Sequence, residues 1–167
     1  MFANCTNLTG VPSKFPNWVN NWCYAGMFAN CTSLKEFPAI LSRSNTGTFA
    51  WMFQNCTALT SAPVLSSFNT QSFCCNGMFQ NCISLREAPV ITYSILSDGC
   101  YKNMYMDCKS LSSITVNFPK WNNNDAINAT ENWVKGVSYN GTFNKSNRLS
   151  AEFGPSRIPN GWDVNNN

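Results

Sequence analysis

The chain of 167 residues contains no histidine, and only 11% of it is charged. Without histidine, imidazole acid–base catalysis is excluded, and with it most catalytic zinc geometries. A charged fraction well under the usual quarter leaves Asn, Ser and Thr to hold the surface in water. The net charge of +3 comes from scattered residues. No Lys/Arg cluster interleaved with aromatics offers a footprint for nucleic acid. No run approaches the roughly 18 apolar residues that span a bilayer, and the first residues lack the regions of a signal peptide. A Gly-rich phosphate loop, a Cys-x-x-Cys pair and a convergent pair of carboxylates are also missing. These absences lead us to expect no catalysis, no metal and no cofactor.

What the chain has in excess is self-similarity. Met1-Phe2-Ala3-Asn4-Cys5, Met27-Phe28-Ala29-Asn30-Cys31, Met52-Phe53-Gln54-Asn55-Cys56, Met78-Phe79-Gln80-Asn81-Cys82 and Met104-Tyr105-Met106-Asp107-Cys108 recur at steps of 26, 25, 26 and 26 residues. A fixed period in this range is the mark of stacked coils. Met27, Cys31 and Leu34 stand at i, i+4 and i+7, which predicts one face of a helical turn. After each leucine the apolar residues fall two apart, as in Leu34/Phe37/Ala39, Leu85/Ala88/Val90 and Leu111/Ile114/Val116. That spacing predicts a short strand. Strands are expected at 10–13, 36–40, 61–65, 87–91 and 113–117, side by side in one parallel sheet. With coils about 4.8 Å apart, five coils make a stack of roughly 25 Å. Pro12, Pro38, Pro63 and Pro89 form a row that Thr115 interrupts. Proline has no N–H for a ladder, so a gap in the sheet is expected along that row.

Nine cysteines fall on the same grid. Cys5, Cys31, Cys56, Cys82 and Cys108 form one ladder. Cys23, Cys74 and Cys100 form a second, with Thr48 on the missing rung, and Cys75 is extra. Equivalence by repeat explains this regularity, so buried free thiols are expected, with a bridge between the ladders left open for an exported protein. Asn-Cys-Thr at Asn4, Asn30 and Asn55 matches the glycosylation acceptor pattern, but the repeat phrase itself dictates those letters. The asparagine row is expected to close the helical turn with its side chains.

Phrases of the type Tyr-x-x-Met-Phe-x-Asn-Cys-x-Ser-Leu-x-x-x-Pro resemble the BspA-like leucine-rich repeats. The resemblance is best over copies 2 to 4, from Cys23 to about Ser97. It fades in copy 5, where Tyr105 replaces Phe, Asp107 replaces Asn and the proline is lost. It implies an α/β repeat fold, a leucine-rich-repeat solenoid with a short parallel sheet over residues 1–117, its N-terminal end uncapped. Such repeats occur in surface adhesins of gut and oral anaerobes, in mucosal parasites and in phages of gut bacteria. The resemblance therefore implies a protein or glycan partner on a cell surface, and an extracellular, cell-surface or virion location. The uncapped first coil leaves room for self-association or a preceding domain.

From Phe118 the period stops, and residues 118–167 read as an irregular α+β C-terminal cap. Asn124 or Asp125 would begin a helix with Ala126, Ile127, Trp133 and Val134 in its body. Asn140-Gly141 lies between strand-like residues and signals a hairpin over 138–143. A last strand is expected at 158–164, followed by a disordered Asn165-Asn166-Asn167 tail. Trp121, Trp133, Phe143 and Trp162 are expected to form the core of the cap, with a ligand-stacking platform as the alternative.

For the sheet flank, the expected outward rows are Gly10/Glu36/Ser61/Glu87/Ser113, the prolines, and Lys14/Ile40/Leu65/Ile91/Asn117. On that phase Ile40, Leu65 and Ile91 form an apolar stripe edged by Lys35, Glu36, Arg86 and Glu87. These seven residues are the candidate ligand-binding set. The alternative is that the last row turns inward and completes the core. Non-catalytic recognition through this flank is the expected function, with a structural or receptor-binding virion protein as the other reading.

Overall fold

The computed structural model describes residues 2–12, 15–16, 19–40, 43–65, 69–121 and 128–167. The repeated phrase does not form the expected helical turn, and among the described residues there is no helix. Its amides divide into two sets instead. Cys23, Ala25, Met27, Ala29 and Cys31 donate to the carbonyl three residues back, at 3.1–3.4 Å. Trp22, Tyr24, Gly26, Phe28 and Asn30 donate across to Thr46, Thr48, Ala50, Met52 and Gln54, at 2.8–3.1 Å. The segment is a ribbon of overlapping β-turns in which every second N–H reaches the next coil. With half its donors committed to a neighbour, the ribbon cannot make the i→i−4 bonds of an α-helix.

Every fourth ribbon residue takes a left-handed φ. In one coil these are Trp22 (59°), Gly26 (60°) and Asn30 (63°); in the next, Gly47 (61°), Trp51 (54°) and Asn55 (60°). Each is the second central residue of alternate turns, where a type II turn requires positive φ. Glycine and asparagine meet that requirement at least cost, which explains the asparagine row. Its side chains bond to one another rather than capping the turn. Asn30 Nδ2 donates to Asn4 Oδ1 (2.9 Å), Asn55 to Asn30 (2.7 Å) and Asn81 to Asn55 (2.8 Å). Asp107 shares the φ (62°), but a carboxylate has no N–H to donate, and the ladder ends at Asn81.

Down the middle runs an aromatic column. Phe2, Phe28, Phe53, Phe79 and Tyr105 stack with centroids 5.4–6.0 Å apart and planes within 8°. Beside it, Cys31, Cys56, Cys82 and Cys108 are fully buried free thiols. Each donates to a phenylalanine carbonyl of the preceding coil: Phe2, Phe28, Phe53 and Phe79, at 3.0–3.2 Å. The row thus joins apolar packing to a hydrogen bond that a disulfide would remove. Met52, Met78 and Met104 are buried, whereas Met27 and Cys23 are half-buried and Cys5 is exposed.

The strand flank is sparser. Where strands were expected at 36–40, 61–65 and 87–91 there are single parallel bridges, Ile40 with Leu65, Glu87 with Ser113 and Ile91 with Val116. The proline row crosses each of these segments and removes ladder donors. Where Thr115 stands in place of proline a continuous strand forms. β1 (Ser113–Val116) pairs in parallel with β2 (Thr142–Lys145), which pairs in parallel with β3 (Asp163–Asn166). The expected strand at 10–13 reaches Ser13, outside the described residues.

The backbone period outlasts the sequence period and continues past residue 117. Tyr101, Asn103, Tyr105 and Asp107 donate to Ala129, Glu131, Trp133 and Lys135. Asn132 and Gly136 take the left-handed φ of Asn103 and Asp107. Ser113 pairs with Thr142, a step of 29 residues (142 − 113). A sixth coil therefore occupies the start of the expected cap. Its longer step and altered letters hide it from alignment by phrase.

Within residues 118–167 three further expectations change. The helix expected around Trp133 and Val134 is another turn ribbon; its proposed N-cap, Ala126 and Ile127 lie outside the described residues. Asn140-Gly141 does not turn a hairpin, because β2 runs parallel to β1. Gly141 is needed for close approach: a Cβ there would lie 2.6 Å from both the Ser112 carbonyl and the Trp162 ring. The last strand begins at Asp163, and the Asn tail is ordered through it. Lys145 Nζ, itself buried, donates to Asn166 Oδ1 (2.8 Å) and the Leu149 carbonyl (2.7 Å). Trp121, Trp133, Phe143 and Trp162 are all buried at 4% exposure or less. Trp133 follows Tyr105 in the column, tilted by 49°.

Candidate functional site

The strand flank carries a groove of about 740 Å³ across the third and fourth coils, lined by Ser61, Val64, Leu65, Arg86, Glu87 and Val90 among others. Its floor follows from the proline row. Strict alternation from Glu36 would place Pro38 and Ile40 outward, but the alternation loses a beat at proline. Glu36 and Ala39 face out while Phe37 and Ile40 are buried. The same slip in the next coils buries Pro63 with Leu65 and Pro89 with Ile91.

The candidate stripe is therefore corrected. Ile40, Leu65 and Ile91 are buried at 1%, 8% and 3% exposure and belong to the core. Their row continues into Val116 rather than Asn117, because the fifth coil is one residue shorter between bridges. Val64 (65%) and Val90 (52%), one position earlier, are the exposed apolar side chains. They were legible only as the second apolar letter after each leucine, and deciding which letter faces out required the slip at proline.

The charged members keep their expected exposure. Arg86 and Glu87 line the groove, and Lys35 and Glu36 are exposed on the same rows one coil away. Among the described residues the ion pairs are Lys102–Glu131 (2.8 Å) and Arg157–Glu152 (3.0 Å), so none of the four is tied up in an ion pair. The groove thus offers an apolar strip between unneutralised charges of both signs. A second depression of about 630 Å³, lined by Asp107, Lys135, Tyr139 and Asn160 among others, lies where the fifth and sixth coils meet the C-terminal segment.

The buried thiols are poor nucleophiles. Burial, aided by the neighbouring Cys31, pushes the Cys56 thiol up to about 12 from an ordinary 9.0. Burial does the same to Cys108. A thiol held protonated and enclosed is slow to attack a substrate. Among the described residues no cluster of three His, Cys, Asp or Glu side chains is placed to hold an ion. No family model matches the chain, and no curated protein or solved structure matches it.

Proposed function

We propose that the chain is a leucine-rich-repeat solenoid of the BspA-like kind. It acts in non-catalytic recognition of a protein or glycan on a cell surface, and it works outside the cell or on a virion. The observation that carries this reading is the groove around Val64 and Val90. Exposed apolar side chains in a concave strip, rimmed by Arg86 and Glu87, suit a partner that brings its own apolar groups and complementary charge. A receptor-binding or structural protein of a phage is the second reading, supported by the same surface and by the neutral Asn, Ser and Thr side chains that take the place of charge.

The test is a screen of immobilised glycans and host-cell surface proteins, repeated with the Val64→Asp/Val90→Asp variant. The reading expects a ligand whose binding the double variant weakens while its far-UV spectrum and melting temperature stay those of the parent. Binding that survives the double variant but is lost on Tyr139→Ala would move the site to the C-terminal depression. A self-assembling protein with no ligand in either screen would favour the structural virion reading.

A further inference from the structure

The turn-ribbon flank carries a second surface of a different chemistry. Two rows of its left-handed positions alternate between glycine and aromatic residues, the second as far as Asn103. One row reads Trp22, Gly47, Phe73, Gly99, and the next reads Gly26, Trp51, Gly77. Each aromatic covers the glycine of the following coil. A Cβ built at Gly47 would lie 2.2 Å from the Trp22 ring, at Gly77 2.6 Å from the Trp51 ring, and at Gly99 2.4 Å from the Phe73 ring. For Trp22, three atoms of the six-membered ring are nearly equidistant from that Cβ, at 2.2–2.5 Å. The ring therefore lies across the outward direction, one face on the glycine backbone and the other facing away from the coil.

Trp22 and Trp51 are 6.1 Å apart and within 18° of parallel; each lies over a glycine of the following coil, Gly47 and Gly77, and Trp51 is half-buried. Trp22 is 44% exposed although it is one of the largest apolar side chains in the molecule. Residues 20–26, 45–51 and 71–77, which carry the rings, contain no Asp, Glu, Lys or Arg. Neutral hydrogen-bonding side chains lie on these segments. Asn21 and Gln71 are exposed, and Gln54 Nε2 donates to Gln80 Oε1 (3.1 Å) beside the Trp51 ring, over Gly77.

We propose that this pair of indoles binds a neutral saccharide chain, with Trp22 and Trp51 each stacking under one pyranose ring. A sugar ring presents an apolar C–H face to an indole and hydroxyls at its rim to amides, and needs no charge. The separation of the two indoles is close to that of consecutive rings in an extended oligosaccharide. An anionic or cationic ligand would find no charged residue on the segments that carry the rings; the charge across from Gly77, Lys102, is already paired with Glu131. This site is separate from the strand-flank groove and does not depend on it.

The experiment uses the full chain and titrates cellohexaose, chitohexaose, maltohexaose and mannohexaose against tryptophan fluorescence, with calorimetry as a second readout. At least one hexaose is expected to bind and to shift the emission. Trp22→Leu and Trp51→Leu should each weaken that binding by about tenfold or more, whereas Trp22→Phe should retain most of it, since loss of a stacking face rather than of apolar area is the cause. Melting curves identify any variant that fails to fold, and Trp22→Phe against Trp22→Leu then remains the deciding pair. Val64→Asp/Val90→Asp should leave hexaose binding unchanged. No binding by any of the four sugars, or equal binding by Trp22→Leu and Trp22→Phe, overturns the proposal.

Discussion

The two flanks of each coil join it to its neighbours in different ways. On the turn-ribbon flank every second amide from Trp22 to Asn30 reaches the next coil, and the asparagine ladder and cysteine thiols reinforce the joint. On the strand flank prolines reduce the contact to single bridges until Thr115 restores a strand. The difference separates two tasks. The ribbon, with its aromatic column, holds the stack together, and the strand flank is left with exposed side chains free to vary. Stability should therefore respond most to the column and to the ribbon's cross-coil bonds, and recognition to the side chains left exposed, Val64 and Val90 on the strand flank and Trp22 on the ribbon flank.

The sharpest way to break that division is through the column. Phe53 is fully buried between Phe28 and Phe79, and Phe53→Ala should cost about 3–5 kcal/mol in chemical denaturation. A loss of under 1 kcal/mol would mean the column is not the axis of the fold. Alkaline pH acts next. Cys56 and Cys108 are pushed up to about 12, and Cys82 is also raised, chiefly by burial. A folded-state value above the unfolded 9.0 means that this stability is complete below pH 9 and is lost as pH climbs toward 12. Each such thiol should remove about 1.4 kcal/mol per pH unit in that window. A melting temperature flat from pH 8 to about pH 11 would show that the thiols are not enclosed.

Smaller changes sharpen the picture. Tyr105 occupies a phenylalanine position, and its hydroxyl is buried without a hydrogen-bond partner among the described residues. Tyr105→Phe should raise stability by about 1 kcal/mol by relieving that hydroxyl. The smallest effect is expected from Val64→Asp/Val90→Asp, each substitution changing stability by about 0.5 kcal/mol or less because both side chains are exposed. Ile91→Asp, one position along, should unfold the protein by burying a charge. If Val90→Asp and Ile91→Asp destabilise equally, the phase of the strand flank is wrong.

The phrase Met-Phe-x-Asn-Cys made the coil period, the buried cysteine row and the gap along the prolines legible in the sequence. It did not reveal how the turn is built, because the spacing of Met27, Cys31 and Leu34 fits a helix face. Only the cross-coil bonds of Phe28 and Asn30 show that the donors go elsewhere. The sixth coil was hidden because Asn132, Trp133 and Gly136 keep the backbone of Asn103, Met104 and Asp107 while sharing only the asparagine. On the candidate site, the sequence located the charged rim of Arg86 and Glu87 but put the apolar strip one residue late. Period-two reasoning carries no information about a proline that shifts the phase. The glycine–tryptophan contacts had no signal in a single copy, since each ring covers a glycine from a different coil.

Native-state amide exchange tests the separation of tasks most directly. The ribbon amides of Phe28, Phe53 and Phe79, each bonded to the next coil, should exchange only through global unfolding. The amides of Val64 and Val90 have no backbone partner among the described residues and should exchange faster by orders of magnitude. That ordering is the predicted result. Comparable protection at Phe53 and Val64 would mean that both flanks hold the stack equally, and it would contradict the account.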